Sequence, residues 1–164
     1  MDISLSAKAL AAFLQKFGET LKSEEKTQAY FEQKEKGVTP LLEVFSSDPG
    51  TGIITLFDKD HYVIGDKKAQ NCILYVHGGA YTMELTPFHT VFCGNLFLRT
   101  GYCVYIPLYP LSPKHHYDEA YEMIDALYDT IKDKNVVLMG DSAGGGFIFS
   151  YAQHLRDKQE KLPS

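Results

Sequence analysis

Val136-Val137-Leu138-Met139-Gly140-Asp141-Ser142-Ala143-Gly144-Gly145 is the stretch that decides the fold. Four consecutive apolar residues without polar alternation suit a strand covered on both faces, as in a parallel sheet. The run breaks at Gly140, and Ala143 to Arg156 reads as a helix. G-x-S-x-G therefore stands between a buried strand and a helix, the context in which the motif carries chemistry. A serine on so sharp a turn sits on strained backbone, and flanking glycines leave room for neighbouring chain segments. The turn holds the hydroxyl clear at the carboxyl edge of the sheet, where the helix N-terminus favours developing negative charge. Ser142 is the candidate nucleophile. The alternative is a glycine-rich turn that only packs tightly.

Working outward, Cys72–Val76 and Tyr102–Ile106 are two more unbroken apolar runs, and helical stretches lie at Pro87–Arg99 and Tyr117–Lys132. The second helix aligns Ala120, Met123, Ile124, Leu127 and Ile131 on one stripe. Strand, helix, strand, helix, strand is the βαβ pattern of an α/β fold with a mostly parallel sheet and flanking helices. Upstream, Leu41–Ser46 and Ile53–Phe57 are short strand candidates separated by Ser-Ser-Asp-Pro-Gly-Thr-Gly. His61–Ile64 pairs with the second of them across Asp58-Lys59-Asp60. Residues 4–22 form an amphipathic helix carrying Leu10, Phe13, Leu14, Phe17 and Leu21. Residues 23–36 form a solvated helix stopped by Gly37. The expected organisation is a helical segment at 1–39 followed by the α/β unit at 40–164.

The 164 residues are 45% hydrophobic and 23% charged, the profile of an ordinary soluble globular chain able to bury a core. A net charge of −5 without a basic face excludes a nucleic-acid binder. No apolar run approaches the roughly eighteen residues needed to span a bilayer. The N-terminus lacks the basic region and cleavage site of a secretory signal. Cys72, Cys93 and Cys103 are odd in number and have no metal-ligand spacing, so the expectation is reduced thiols in a cytoplasmic protein with no metal and no cofactor.

A second motif, His77-Gly78-Gly79-Ala80, follows the first buried strand directly. Glycines there let backbone N–H groups turn inward as oxyanion donors, with the residue after the nucleophile supplying another. Two glycine-rich turns at the carboxyl ends of parallel strands converge on one crevice. These two motifs, together with Tyr109-Pro110-Leu111-Ser112-Pro113-Lys114-His115, resemble the hormone-sensitive-lipase-like esterase/lipase family of the α/β-hydrolases, over about residues 53–164. The resemblance implies hydrolysis of small acyl esters without a cofactor. It implies Ser142 as nucleophile, Gly78, Gly79 and Ala143 as oxyanion donors, and His77 as a brace for its loop. It also implies that the N-terminal helices belong to a cap that helps set acyl size.

In α/β-hydrolases the acid and then the histidine follow the serine. Twenty-two residues follow Ser142, and the histidine among them is His154, about 18 Å along the same helix. His154 reads as a surface or packing residue. His115 and His116 stand on the active-site side of the sheet with Asp118 nearby, His89 opens a helix beside the crevice, and His61 is peripheral. Asp141 either serves the turn's backbone donors or acts catalytically. Tyr81, Phe88, Phe92 and Phe147 either line an acyl pocket or belong to the core. The chain therefore reads as the first half of the fold, inactive by itself, with Val136–Met139 left as an unpaired edge that invites self-association or a complementing chain. The other reading is a non-catalytic ligand-binding or truncated module on the same fold.

Overall fold

A computed structural model describes residues 11–12, 15, 18–19, 22–35, 55–58, 60–160 and 162–163. The chain divides into two compact units, Met1–Thr39 and Pro40–Ser164. In the first unit, Ala11, Ala12, Gln15, Gly18 and Glu19 are helical; the rest of the expected 4–22 helix lies largely outside the described residues. Helix α1 spans Glu24–Glu35. Ser23 caps it, its Oγ accepting the Lys26 N–H at 3.4 Å, and Glu24 and Glu25 complement the N-terminal dipole.

The second unit holds a five-stranded sheet in the order β1-β2-β4-β3-β5. Its strands are β1 (Thr55–Asp58), β2 (His61–Ile64), β3 (Asn71–Val76), β4 (Cys103–Pro107) and β5 (Asn135–Gly140). β1 and β2 form a tight antiparallel hairpin with Asp58 opposite His61, and β2 also runs antiparallel to β4. β4, β3 and β5 are parallel. Helix α2 (Pro87–Thr100) connects β3 to β4, α3 (Tyr117–Asp129) connects β4 to β5, and α4 (Ser142–Asp157) leaves β5. The expected strand at Leu41–Ser46 lies outside the described residues.

The unbroken apolar runs have the explanation that the sequence suggests: both faces of β3 are covered. Cys72, Leu74 and Val76 enter the core that includes Ile124 and Leu127 of α3 and Phe147 and Tyr151 of α4. Ile73 and Tyr75 enter a second core with Ile106 of β4, Cys93 of α2 and Leu85 of the loop before α2. The three cysteines are free and buried, and burial pushes the Cys72 thiol up to about 11. Among the described residues no helix is long and apolar enough to cross a membrane.

α3 ends at Asp129, earlier than its apolar stripe. Thr130 Oγ1 and Thr130 N–H both turn back onto the Leu127 carbonyl, and the chain continues as turns while Ile131 stays in the core. α3 and α4 are stapled at Asp125, whose carboxylate accepts Tyr151 Oη at 2.8 Å, His154 Nε2 at 3.1 Å and Lys158 Nζ at 2.6 Å. Burial opposes ionisation of Asp125, but these three donors hold its carboxyl below the usual range. Asp125→Ala leaves the fully buried Tyr151 hydroxyl unpaired. It is expected to cost about 1–3 kcal/mol, read as a lower urea midpoint at unchanged slope.

β5 closes the described sheet on one side. Val136 is buried, whereas Val137 to Gly140 remain half-buried. An open groove beside it is lined by Leu138, Met139, Ile148, Phe149 and Leu162.

Candidate active site

The turn from β5 into α4 is built by close backbone approach. A Cβ on Gly140 would stand 2.5 Å from the Gly144 carbonyl oxygen and 2.8 Å from that of Val76, and one on Gly144 would stand 2.6 Å from that of His77. No side chain fits at either place, which is the steric content of the two flanking glycines. Ser142 has φ 47°, a left-handed conformation that costs a non-glycine residue about 1–2 kcal/mol. It is solvent-exposed, and its hydroxyl has no hydrogen-bond partner among the described residues. The Ala143 N–H belongs to the first turn of α4, where no intrahelical acceptor exists.

The loop after β3 meets this turn because β3 and β5 are neighbours in register, Val76 opposite Gly140. His77 is buried, its Nδ1 donates to the Gly78 carbonyl at 2.8 Å, and burial pulls its pKa down to about 4. The imidazole is therefore neutral with its proton on Nδ1. Tyr109 stacks on it at 4.6 Å and donates its hydroxyl to the His77 carbonyl at 2.8 Å. These contacts give His77 a bracing position.

Gly78 corrects the sequence reading. Its N–H donates to Asp141 Oδ1 at 2.8 Å and is therefore already engaged, so it is not a free oxyanion donor. The free groups follow it. Gly79, Ala80 and Tyr81 have φ of 125°, 52° and 62°, a run that turns successive peptides over. Among the described residues the N–H groups of Gly79 and Ala80 have no acceptor. Spacing alone could not show which amide of the motif is spent, because the acceptor lies sixty-three residues further along the chain.

Asp141 holds the two loops together. Oδ1 accepts both the Gly78 N–H and the Tyr75 hydroxyl, the latter at 2.6 Å. Oδ2 lies 3.6 Å from His89 Nε2, beyond hydrogen-bond length but within ion-pair range. His89 Nδ1 accepts the Thr86 N–H at 3.0 Å at the start of α2, which places the proton of the neutral ring on Nε2, facing Asp141. Burial opposes the Asp141 charge, yet His89, Tyr75 and the Gly78 N–H together hold its carboxyl well below the usual range. Of the two roles that the sequence left open for Asp141, the first takes a different form: the carboxylate makes no side-chain cap to its own turn and instead accepts a backbone donor of the neighbouring loop.

The remaining histidines are committed elsewhere. His115 Nδ1 meets Glu119 Oε2 at 2.8 Å, not Asp118, and His116 caps α3, its N–H bound to Glu119 Oε1. His154 pairs with Asp125, and His61 with Asp60. No histidine is paired with Ser142 among the described residues. Of the four aromatic candidates, Phe147 is buried, while Tyr81, Phe88 and Phe92 are exposed. Phe147 and Tyr81 also wall a cavity of about 330 Å³ between α3, α4 and the loop after β4. Tyr75 carried no site signal in the sequence, and Tyr109 entered it only as the first residue of the Tyr109–His115 segment, with no role attached. By position, one lies two residues before His77 in β3 and the other two residues beyond β4.

A family profile described as alpha/beta hydrolase fold matches residues 73–164. The chain belongs to that family. The α/β-hydrolase-fold chain is 33% identical over 97 residues to LipR of Mycobacterium tuberculosis, assigned as an acetyl-hydrolase, covering 56% of this chain and 32% of that one. It is 33% identical over 104 residues to an esterase of Acinetobacter venetianus, covering 58% and 33%. An esterase-assigned protein of Staphylococcus aureus superposes with a TM-score of 0.73 at 26% identity, covering 87% of this chain and 51% of its own. The chain thus spans about a third of the length of these curated relatives and about half of that solved structure.

Proposed function

We propose that this chain carries the nucleophile and oxyanion half of a serine carboxylic ester hydrolase acting on small acyl esters. The observation that carries the reading is Ser142, exposed at φ 47° on a glycine-framed turn tied by Asp141 to the loop that holds the unsatisfied Gly79 and Ala80 amides. The Ser142 Oγ attacks the ester carbonyl carbon while its proton passes to a base. The resulting oxyanion takes hydrogen bonds from the N–H groups of Gly79, Ala80 and Ala143. The carbonyl re-forms as the alcohol leaves, the base returning its proton, and water then releases the acyl group from Ser142. Gly78 acts in this scheme through the loop's position and not through its own N–H. A cytoplasmic site of action fits the three buried free thiols.

The base is not among the described residues, so the isolated chain is expected to hydrolyse p-nitrophenyl acetate no faster than Ser142→Ala. Imidazole added at high concentration supplies a diffusible base. Acetylation of Ser142, read by mass spectrometry, is then expected in the wild-type chain and absent in Ser142→Ala. Absence of acylation with imidazole overturns the reading and favours a ligand-binding module, whose supporting observation is a Ser142 with no paired histidine. The half-buried β5 edge points to self-association of the isolated chain. Sedimentation is expected to show dimers or larger species, and a clean monomer would remove that proposal.

A further inference from the structure

We infer that the cavity between α3 and α4 is a substrate subsite for an aromatic ring, borne by an ester whose carbonyl reaches Ser142 through a short spacer. The inference rests on the esterase reading for its link to Ser142, but the cavity stands on its own geometry. It lies wholly within the second unit, and its volume of about 330 Å³ falls at the lower end of ligand pockets. A cavity of about 150 Å³ lined by apolar groups already holds one benzene ring, so this one has room for a ring and its linker.

The walls specify the chemistry. Tyr109, Tyr121 and Phe147 form a continuous aromatic surface, with Tyr121 and Phe147 ring centroids 4.7 Å apart and Tyr109 and Phe147 5.9 Å apart. The polar ends of these tyrosines are spent. Tyr109 Oη donates to the His77 carbonyl, and Tyr121 Oη shares a hydrogen bond with Ser150 Oγ at 2.5 Å. What remains toward the cavity is chiefly ring carbon, the surface that another ring contacts best edge-on or offset. Tyr117 stands 78% exposed at the mouth, a large apolar group left in water beside an aromatic pocket.

The position ties the cavity to the reaction. Ser142, Gly146 and Ser150 follow one another at four-residue steps along α4, so the cavity wall at Ser150 lies a little over two turns, or about 12 Å along the axis, from the nucleophile. Tyr81, one residue after Ala80, stands over the first of those turns. Its hydroxyl is 3.3 Å from where a Cβ on Gly146 would be. Tyr81 is therefore the wall between the oxyanion loop and the cavity, and it limits the width of what passes between them.

The test uses fragments that require no turnover, added to the full chain: 3-phenylpropanoate for a ring on the acyl side and 3-phenylpropan-1-ol for a ring on the alcohol side. Saturable binding is expected, with shifts at the Ala120 methyl and the Ser150 amide; the tighter fragment tells which side of the ester the ring belongs to. The cyclohexyl analogues are expected to bind about three- to tenfold more weakly. Ser150→Leu, which fills the cavity, is expected to lower affinity at least about tenfold. Tyr81→Ala tests the wall without touching the core: it is expected to admit 3-(2-naphthyl)propanoate, which the wild-type chain excludes. No saturable binding, equal affinity in a folded Ser150→Leu chain, or shifts confined to the Ser142 turn would each overturn the subsite. Binding without imidazole-assisted acylation of Ser142 would refute the esterase reading and leave the subsite standing, and acylation without binding would do the reverse.

Discussion

Gly144→Val is expected to destabilise the second unit by about 3 kcal/mol or more, enough to leave much of the chain unfolded at ambient temperature. The first carbon of the new side chain would overlap the backbone carbonyl oxygens of Val76 and His77, the latter at 2.6 Å. Those atoms end β3 and begin the oxyanion loop, so neither can swing aside as a side chain would. Relief requires α4 to lift off the sheet, which opens the contacts of Phe147, Ile148, Tyr151 and Leu155 with the core. Gly146→Ala in the same helix is the control. Its position is exposed, and the nearest atom to a new Cβ is the hydroxyl at the far end of the Tyr81 side chain, at 3.3 Å. There the gain in helix propensity, up to about 1 kcal/mol, outweighs a small side-chain shift. Two glycines two residues apart should therefore move the guanidinium midpoint in opposite directions. Equal midpoints for the two variants would mean that Gly144 is not held by backbone approach.

The parts of this molecule that were legible in the sequence are those governed by local rules. The three apolar runs and the stripe on α3 each follow from periodicity over a few residues, and the strands and that helix stand where those signals lie, while the expected stop at Gly37 lies outside the described residues. The tie between the two glycine turns was legible only as far as adjacent strands bring them together. Which amide was left free was not legible. That depends on Asp141 reaching across to Gly78, with Tyr75 sharing the same oxygen, and no spacing rule predicts a contact between residues sixty-three apart. The early end of α3 was missed for a similar reason: Ile131 continues the apolar stripe because it is buried, although Thr130 has already turned the backbone out of the helix. His89 was equally ambiguous, since a histidine at a helix start serves as cap or ligand with the same local sequence. Its Nδ1 bond to Thr86 and its approach to Asp141 separate the two.

These contacts make Asp141 the member of the site whose loss should be felt most widely. Asp141→Ala leaves the Gly78 N–H and the buried Tyr75 hydroxyl without their acceptor, and at neutral pH it is expected to cost about 2–4 kcal/mol. The carboxylate itself is 45% exposed, so water screens its charge and the figure stays below what full burial would give. The pH dependence distinguishes charge from shape. The folded-state pKa is depressed, so the charged carboxylate stabilises the fold fully above the unfolded-state value near 4. That contribution is lost as pH falls through the lower folded-state value. Asp141→Asn keeps an acceptor oxygen but lacks the titration. Its deficit relative to wild type, measured by circular dichroism in urea, should therefore be largest near pH 7 and shrink below about pH 3. A deficit that is the same at both pH values would show that Asp141 holds the Gly78 loop by shape alone and that its charge contributes nothing to the site.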